Sequence, residues 1–245
     1  MARFVLVHGA FGGAWCWEPV AERLRSAGHR AEAFDLPGAG SDPTPAGEVT
    51  LARYAQRTCE ILAAGPPALL CGQSMGGMVI TQAAADCPSR VAALVYVSAF
   101  VPWEGMSLID LTREPEAAGD QVQANMSVSG DPPVARLDAD GALAAIYNRA
   151  DPARAREAAA RLGPQPVRPF TEPFTVGERA AEFAALPRAY VSCLQDNAIR
   201  LPMQRRMYTL AGCSPVIEID TDHSPWLSAT DELVGALLRI AAELC

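Results

Sequence analysis

Short apolar runs alternate with amphipathic stretches through the first hundred residues, and few architectures accept that pattern. Phe4-Val5-Leu6-Val7 is a run of the buried-strand type. Residues 15–27 follow as a helix, with Val20, Ala21, Leu24 and Ala27 on one face and Gly28 as its stop. Residues 31–36 read as a second strand, which ends in Pro37-Gly38-Ala39-Gly40. Thr50 caps a helix that buries Leu51, Tyr54, Ala55, Ile61 and Leu62 and stops at Gly65-Pro66. Residues 68–71 are a short apolar strand, 75–86 a helix and 91–98 a strong strand. Strands separated by helices of this length form βαβ units and a parallel sheet.

The alternation then fails. From about residue 101 to 186 the chain is punctuated by proline and reads as mostly helical or irregular. Residues 152–162 form one clear helix with proline in its first turn. The Gln165-Pro166-Val167-Arg168-Pro169 stretch fits neither a helix interior nor a central strand. The α/β pattern resumes with a strand at 189–194, a helix at 205–211, a strand at 215–219 and a helix at 228–244. Ser228 and Asp231 are spaced as a capping box for that last helix. A sheet domain built from residues 1–101 and 188–245 is therefore interrupted by an insertion at 102–187.

Composition narrows the chemistry. The 245 residues suit one domain of about 150–250 residues, or a core with an insertion. All 20 basic side chains are arginine, because lysine is absent. That removes a Schiff base, a pyridoxal phosphate anchor, a P-loop lysine and a Ser-Lys dyad. The formal net charge of −8 opposes non-specific binding to nucleic acid or an anionic membrane. The apolar run at residues 4–7 is too short for a signal peptide, and no run approaches the ~18 apolar residues of a membrane span. The cysteines (16, 59, 71, 87, 193, 213 and 245) are odd in number, scattered and without C-x-x-C. They read as reduced core thiols of a cytoplasmic protein, not as a disulfide framework or zinc site. No metal or cofactor is expected.

Gly72-Gln73-Ser74-Met75-Gly76 lies where a strand runs into a helix. A serine on that sharp turn stands clear of the sheet, with glycines two before and two after it, and the helix N-terminus behind it favours developing negative charge. Serine is a weak nucleophile without a base, and only His8, His29 and His223 can supply one. His223 follows the last strand, at the same carboxyl edge of the sheet as Ser74. His8 sits in the glycine-rich turn after the first strand and reads as a structural histidine, while His29 lies at the opposite edge. Asp196 follows the 189–194 strand and gives the chain order Ser, Asp, His. Asp220, Asp222 and Glu104 compete for its role, the first two reading more naturally as groups that serve their own loop. Backbone N–H groups of Met75 and of Ala10, in the turn after the first strand, suit an oxyanion hole.

With these residues in view, the chain resembles the α/β-hydrolase superfamily over essentially its whole length. Within it the chain is most similar to the small esterases of the plant hydroxynitrile lyase and salicylate methylesterase branch and their bacterial relatives. The carrying segments are His8-Gly9-Ala10 with Trp15-Cys16-Trp17, residues 72–78, Ser98-Ala99-Phe100-Val101-Pro102, Asp196 with Leu201-Pro202 and Gln204, and Asp222-His223. The resemblance implies an α/β-hydrolase fold: a mostly parallel sheet of about six strands under a helical cap. It also implies a Ser74–Asp196–His223 triad with oxyanion donors at Ala10 and Met75. The cyanide-releasing lyases of that branch keep a lysine directly after the catalytic histidine and a threonine in the first turn. Here those positions are Ser224 and Gly9. Gln73 stands where relatives commonly have histidine and reads as a packing difference. Ser74 also replaces the aspartate nucleophile of dehalogenases and epoxide hydrolases.

The expected activity is hydrolysis of a small or medium apolar carboxylic ester through an acyl-enzyme, without cofactor. Phe11, Trp103 and Tyr147 are the expected substrate contacts. Met106, Leu108, Leu111, Met126, Phe170, Phe174 and Phe183 are further cap candidates. A cofactor-free lyase, C–C hydrolase or cyclase-type tailoring enzyme is the alternative on the same triad, because one fold hosts them all. A ligand-binding receptor with a vestigial triad is a third reading. The expected partner is a small-molecule ester, not nucleic acid or membrane, and a homodimer stays open.

Overall fold

The structure, a computed structural model, describes residues 1–244. β1 (Arg3–Val7) is buried along its whole length, as its unbroken apolar run requires of a strand covered on both faces. The chain continues through α1 (Glu18–Ser26), β2 (Arg30–Ala33) and α2 (Leu51–Ala63) to β3 (Ala68–Ser74). α3 (Gly76–Asp86) and β4 (Val91–Ala99) follow. Thr50 caps α2 as expected, its hydroxyl accepting from Arg53 N at 2.9 Å.

The segment after β4 is less purely helical than its sequence suggests. It contains α4 (Leu108–Thr112), α5 (Gln121–Asn125), β5 (Met126–Ser129), β6 (Val134–Leu137), α6 (Ala139–Ala145), α7 (Pro152–Ala159), β7 (Gln165–Pro166), α8 (Arg168–Thr171) and α9 (Ala180–Ala184). The three strands form a small antiparallel sheet in the order β5-β6-β7. Pro166 is tolerated because β7 is an edge strand, and Pro169 because it falls in the first turn of α8.

β8 (Arg188–Cys193), α10 (Leu201–Leu210), β9 (Val216–Ile219), α11 (Pro225–Ser228) and α12 (Thr230–Leu244) complete the chain. The main sheet has six strands in the order β2-β1-β3-β4-β8-β9, and every neighbouring pair is parallel. The carboxyl ends of all six strands therefore lie along one edge. Several boundaries differ from expectation: α1 starts at Glu18, β2 ends at Ala33 and β3 runs on to Ser74. α10 starts at Leu201 because Pro202 fits a first helical turn. Ser228 closes α11, two residues before α12 begins, and its hydroxyl donates to Asp222 Oδ1 at 2.6 Å. Among the described residues no helix is long and apolar enough to cross a membrane.

One expectation is overturned. α2 packs against α3, and that contact joins Cys59 and Cys87 in a disulfide with Cα atoms 6.2 Å apart. The two cysteines lie 28 residues apart in no motif, so only tertiary packing makes them neighbours. Cys16, Cys193 and Cys213 are free thiols, and Cys245 lies outside the described residues. Thiol counting on denatured protein should find two fewer reactive cysteines before reduction than after. Cys59→Ser should lower unfolding stability by about 3.5 kcal/mol in non-reducing denaturant titrations, the loop-closure entropy of such a ring.

Candidate active site

Ser74 ends β3 with φ of +56°, in the left-handed region that side chains avoid. The flanking glycines make that turn sterically possible. A Cβ on Gly72 would lie 2.5 Å from Gly76 O, and one on Gly76 would lie 2.7 Å from Val7 O. The G-x-S-x-G spacing thus records a strand-to-helix turn folded against itself and against β1. α3 begins directly behind Ser74, so its N-terminal partial charge sits at the turn.

His223 and Asp196 meet as the sequence predicts. His223 Nδ1 lies 2.8 Å from Asp196 Oδ2, and both side chains are buried. With its Nδ1 proton donated to Asp196, the imidazole keeps Nε2 as its basic nitrogen. Asp196 is held in turn by four other donors. Its Oδ1 accepts from Ala198 N (2.7 Å) and Ile199 N (2.8 Å). Its Oδ2 accepts from the Ser98 hydroxyl and from Gln204 Nε2 at 3.3 Å.

The competing acids are engaged elsewhere. Asp222 accepts from Ser224 N, Ser228 Oγ and Arg149 N, which makes it the brace of the His223 loop. Asp220 accepts from Gln195 Nε2 at 2.8 Å, and Glu104 is exposed. Among the histidines, His8 is structural. Its Nε2 accepts from Leu36 N at 3.1 Å, so Nδ1 carries the proton and donates to Gly9 O at 2.8 Å. Burial holds its pKa below the ordinary value. His29 Nδ1 accepts from Ala2 N at the far edge of the sheet.

Ser98, Gln204 and Gln73 take parts that sequence reasoning did not assign. Ser98 sits at φ of +41° near the end of β4, placing its hydroxyl on Asp196. Gln204 bridges Ser192, Cys193 and Ile199 as well as Asp196. Gln73 Nε2 donates to the His223 carbonyl at 2.9 Å, tying the residue beside Ser74 to the histidine loop. The available signal was a polar side chain at the carboxyl end of an apolar strand, or on a buried helix face.

Ser74 and His223 line one cavity of about 750 Å³ of empty space, its open mouth included. Ala10 and Met75 line it too, as do Phe11 and Tyr147. The turn carrying Ala10 presses on Ser74, since a Cβ on Gly9 would lie 2.8 Å from Ser74 Cβ. Of the cap candidates, Leu108, Met126 and Phe170 also reach the cavity. Trp103 does not; its ring faces the Arg206 guanidinium at 5.7 Å. Met106, Leu111, Phe174 and Phe183 stay outside as well. Paired backbone hydrogen bonds between residues 105–106 and Phe174 hold that stretch to its own side of the insertion. Asp120, Ile146, Leu162, Ile199 and Trp226 belong to the wall instead.

The chain matches the alpha/beta hydrolase family over residues 4–236. It is 32% identical over 262 residues to the probable esterase PIR7A of Oryza sativa subsp. indica, covering 98% of this chain and 97% of that one. It is 32% identical over 252 residues to the alpha-hydroxynitrile lyase of Arabidopsis thaliana, covering 98% and 97%. The crystal structure of polyneuridine aldehyde esterase superposes with a TM-score of 0.87 at 25% identity, covering 98% and 99%. The chain belongs to the alpha/beta hydrolase family and is an esterase-type member of it.

Burial alone would pull the His223 pKa down. The Asp196 charge and hydrogen bond, with Asp222 and Asp120, outweigh burial and hold it above the ordinary histidine value. A raised folded-state pKa stabilises the protein below the unfolded histidine value, and this contribution fades as pH rises through the folded value. Asp196→Asn removes the charge and leaves the burial. In an NMR titration of the imidazole, His223 should titrate above ~6.5 in the wild type and below it in the variant.

Proposed function

We propose that the protein hydrolyses small or medium apolar carboxylic esters through an acyl-enzyme on Ser74. The observation that supports this most is the placement of Ser74 and the Asp196-paired His223 in the wall of one largely apolar cavity. In this reading His223 Nε2 takes the Ser74 proton as Oγ attacks the ester carbonyl. The Ala10 and Met75 N–H groups hold the oxyanion, and Asp196 keeps the imidazole in the productive tautomer. The tetrahedral intermediate collapses and the C–O bond breaks, the alcohol leaving with the proton from His223. Water, deprotonated by His223, then attacks the acyl carbon and releases the acid.

Two features speak against cyanohydrin cleavage by the lysine and threonine route, although a hydroxynitrile lyase is among the relatives. Ser224 follows His223 and is 2% exposed. A side chain on Gly9 would meet Gln73 Oε1 at 2.5 Å as well as Ser74 Cβ. The turn and the glutamine are matched to each other, and together they leave no room for a threonine.

Ser74→Ala should lower kcat on p-nitrophenyl butyrate by at least about 10³-fold while leaving the thermal transition in place. Full residual activity would remove Ser74 from the reaction. In the wild type, kcat/KM should fall on the acid side of an ionisation above the ordinary histidine value, because the raised His223 must be neutral to act as base. Mandelonitrile should release no cyanide above the buffer rate.

A further inference from the structure

One carboxyl in the cavity wall touches the Ser74 chemistry only through its charge on His223. Asp120 precedes α5 and lines the cavity together with Ser74 and His223. Its Oδ1 accepts from Val122 N at 2.7 Å and Gln123 N at 3.2 Å, and this alone caps the helix. Among the described residues, Oδ2 takes no hydrogen bond. Thr112 and Gln123, polar neighbours in the wall, are bonded to each other at 2.8 Å. Around them the wall is apolar, with Leu108, Ile109, Val122 and Met126.

Asp120 is half-buried and faces this cavity, so a ligand that covers Oδ2 leaves the carboxylate uncompensated unless it brings a cation. Burial pushes the Asp120 carboxyl up to about 6, with its two backbone hydrogen bonds and His223 opposing, so it is ionised at mildly alkaline pH. The wall offers it little in return. No arginine lines the cavity, the chain has no lysine, and His223 already pairs with Asp196. Arg200, packed near Gly119, donates from Nη1 to Asn197 Oδ1 and the Asp196 carbonyl and lies outside the wall. A ligand that covers Oδ2 must therefore bring the counter-ion itself.

We propose that Asp120 determines specificity: the cavity takes esters whose apolar body carries a protonated amine, and disfavours those that carry a carboxylate. This rests on the reading of the cavity as the substrate site. The amine pairs with Asp120 Oδ2 while the apolar body fills the wall between α4, α5 and the nucleophile. An anionic group in the same place meets Asp120 with like charge and without a compensating cation.

Three ligands with one body test this by calorimetry at pH 8.5: 4-phenylbutylamine, 4-phenylbutan-1-ol and 4-phenylbutanoate. Wild type should bind the amine at least tenfold more tightly than the alcohol, and the alcohol more tightly than the carboxylate. Asp120→Asn keeps an oxygen for the Val122 and Gln123 N–H groups and should bring amine and alcohol within about threefold. Asp120→Ser, which also supplies a cap oxygen, is the second variant should the first unfold. The proposal is overturned if wild type does not prefer the amine, if the preference survives both variants, or if none of the three binds at millimolar concentration. Calorimetry reads binding without turnover. Failure of ester hydrolysis would count against the catalytic reading alone, and failure of this ranking against Asp120 alone.

Discussion

Asp196 is 2% exposed and accepts hydrogen bonds from Ala198 N, Ile199 N, Ser98 Oγ, Gln204 Nε2 and His223 Nδ1. Burying a carboxyl costs several kcal/mol unless its lone pairs are met, so these donors must all arrive together. They come from its own loop after β8, from the end of β4, from α10 and from the loop after β9. One buried group thereby fixes the relative positions of four chain segments at the carboxyl edge of the sheet. The orientation of His223 follows from that arrangement, and so does the direction of its pKa. Asp222 performs the same service one layer out, holding the His223 loop to Ser228 and to the backbone at Arg149.

The second constraint is close approach of backbone. At Ser74 three stretches of chain pack so tightly that methyl groups on Gly9, Gly72 or Gly76 would come within 3 Å of neighbouring atoms. This crowding puts the turn carrying Ala10 against Ser74 and starts α3 immediately behind it. Gln73 links the two constraints. Its amide nitrogen holds the His223 carbonyl, while its oxygen occupies the space beside Gly9.

The parallel sheet was legible because its signal is local. Unbroken apolar runs at Phe4–Val7 and Val91–Val97, separated by helical periodicity, admit few topologies. The positions of Ser74, Asp196 and His223 were legible for the same reason, each standing just after a recognisable strand. What escaped depends on contacts between distant segments. Cys59 and Cys87 become partners only when α2 lies on α3. Trp103 and Asp120 are both plausible wall residues by type, yet the path of the chain between β4 and β8 decides which one faces the cavity. That path is set by short helices and a small sheet whose pattern is too brief to read. Ser228 shows the same limit on a smaller scale, since its spacing fits a helix cap, yet it closes α11 and its hydroxyl donates to Asp222.

The central claim is that the strained serine on the turn after β3 is the group that becomes covalently modified, with the Asp196-paired histidine as its base. Peptide mapping by mass spectrometry after treatment with a fluorophosphonate reads this directly. The account predicts one equivalent of label on Ser74, with labelling at least about a hundredfold slower in His223→Ala. Label on another residue, or an unlabelled and fully active protein, would contradict it.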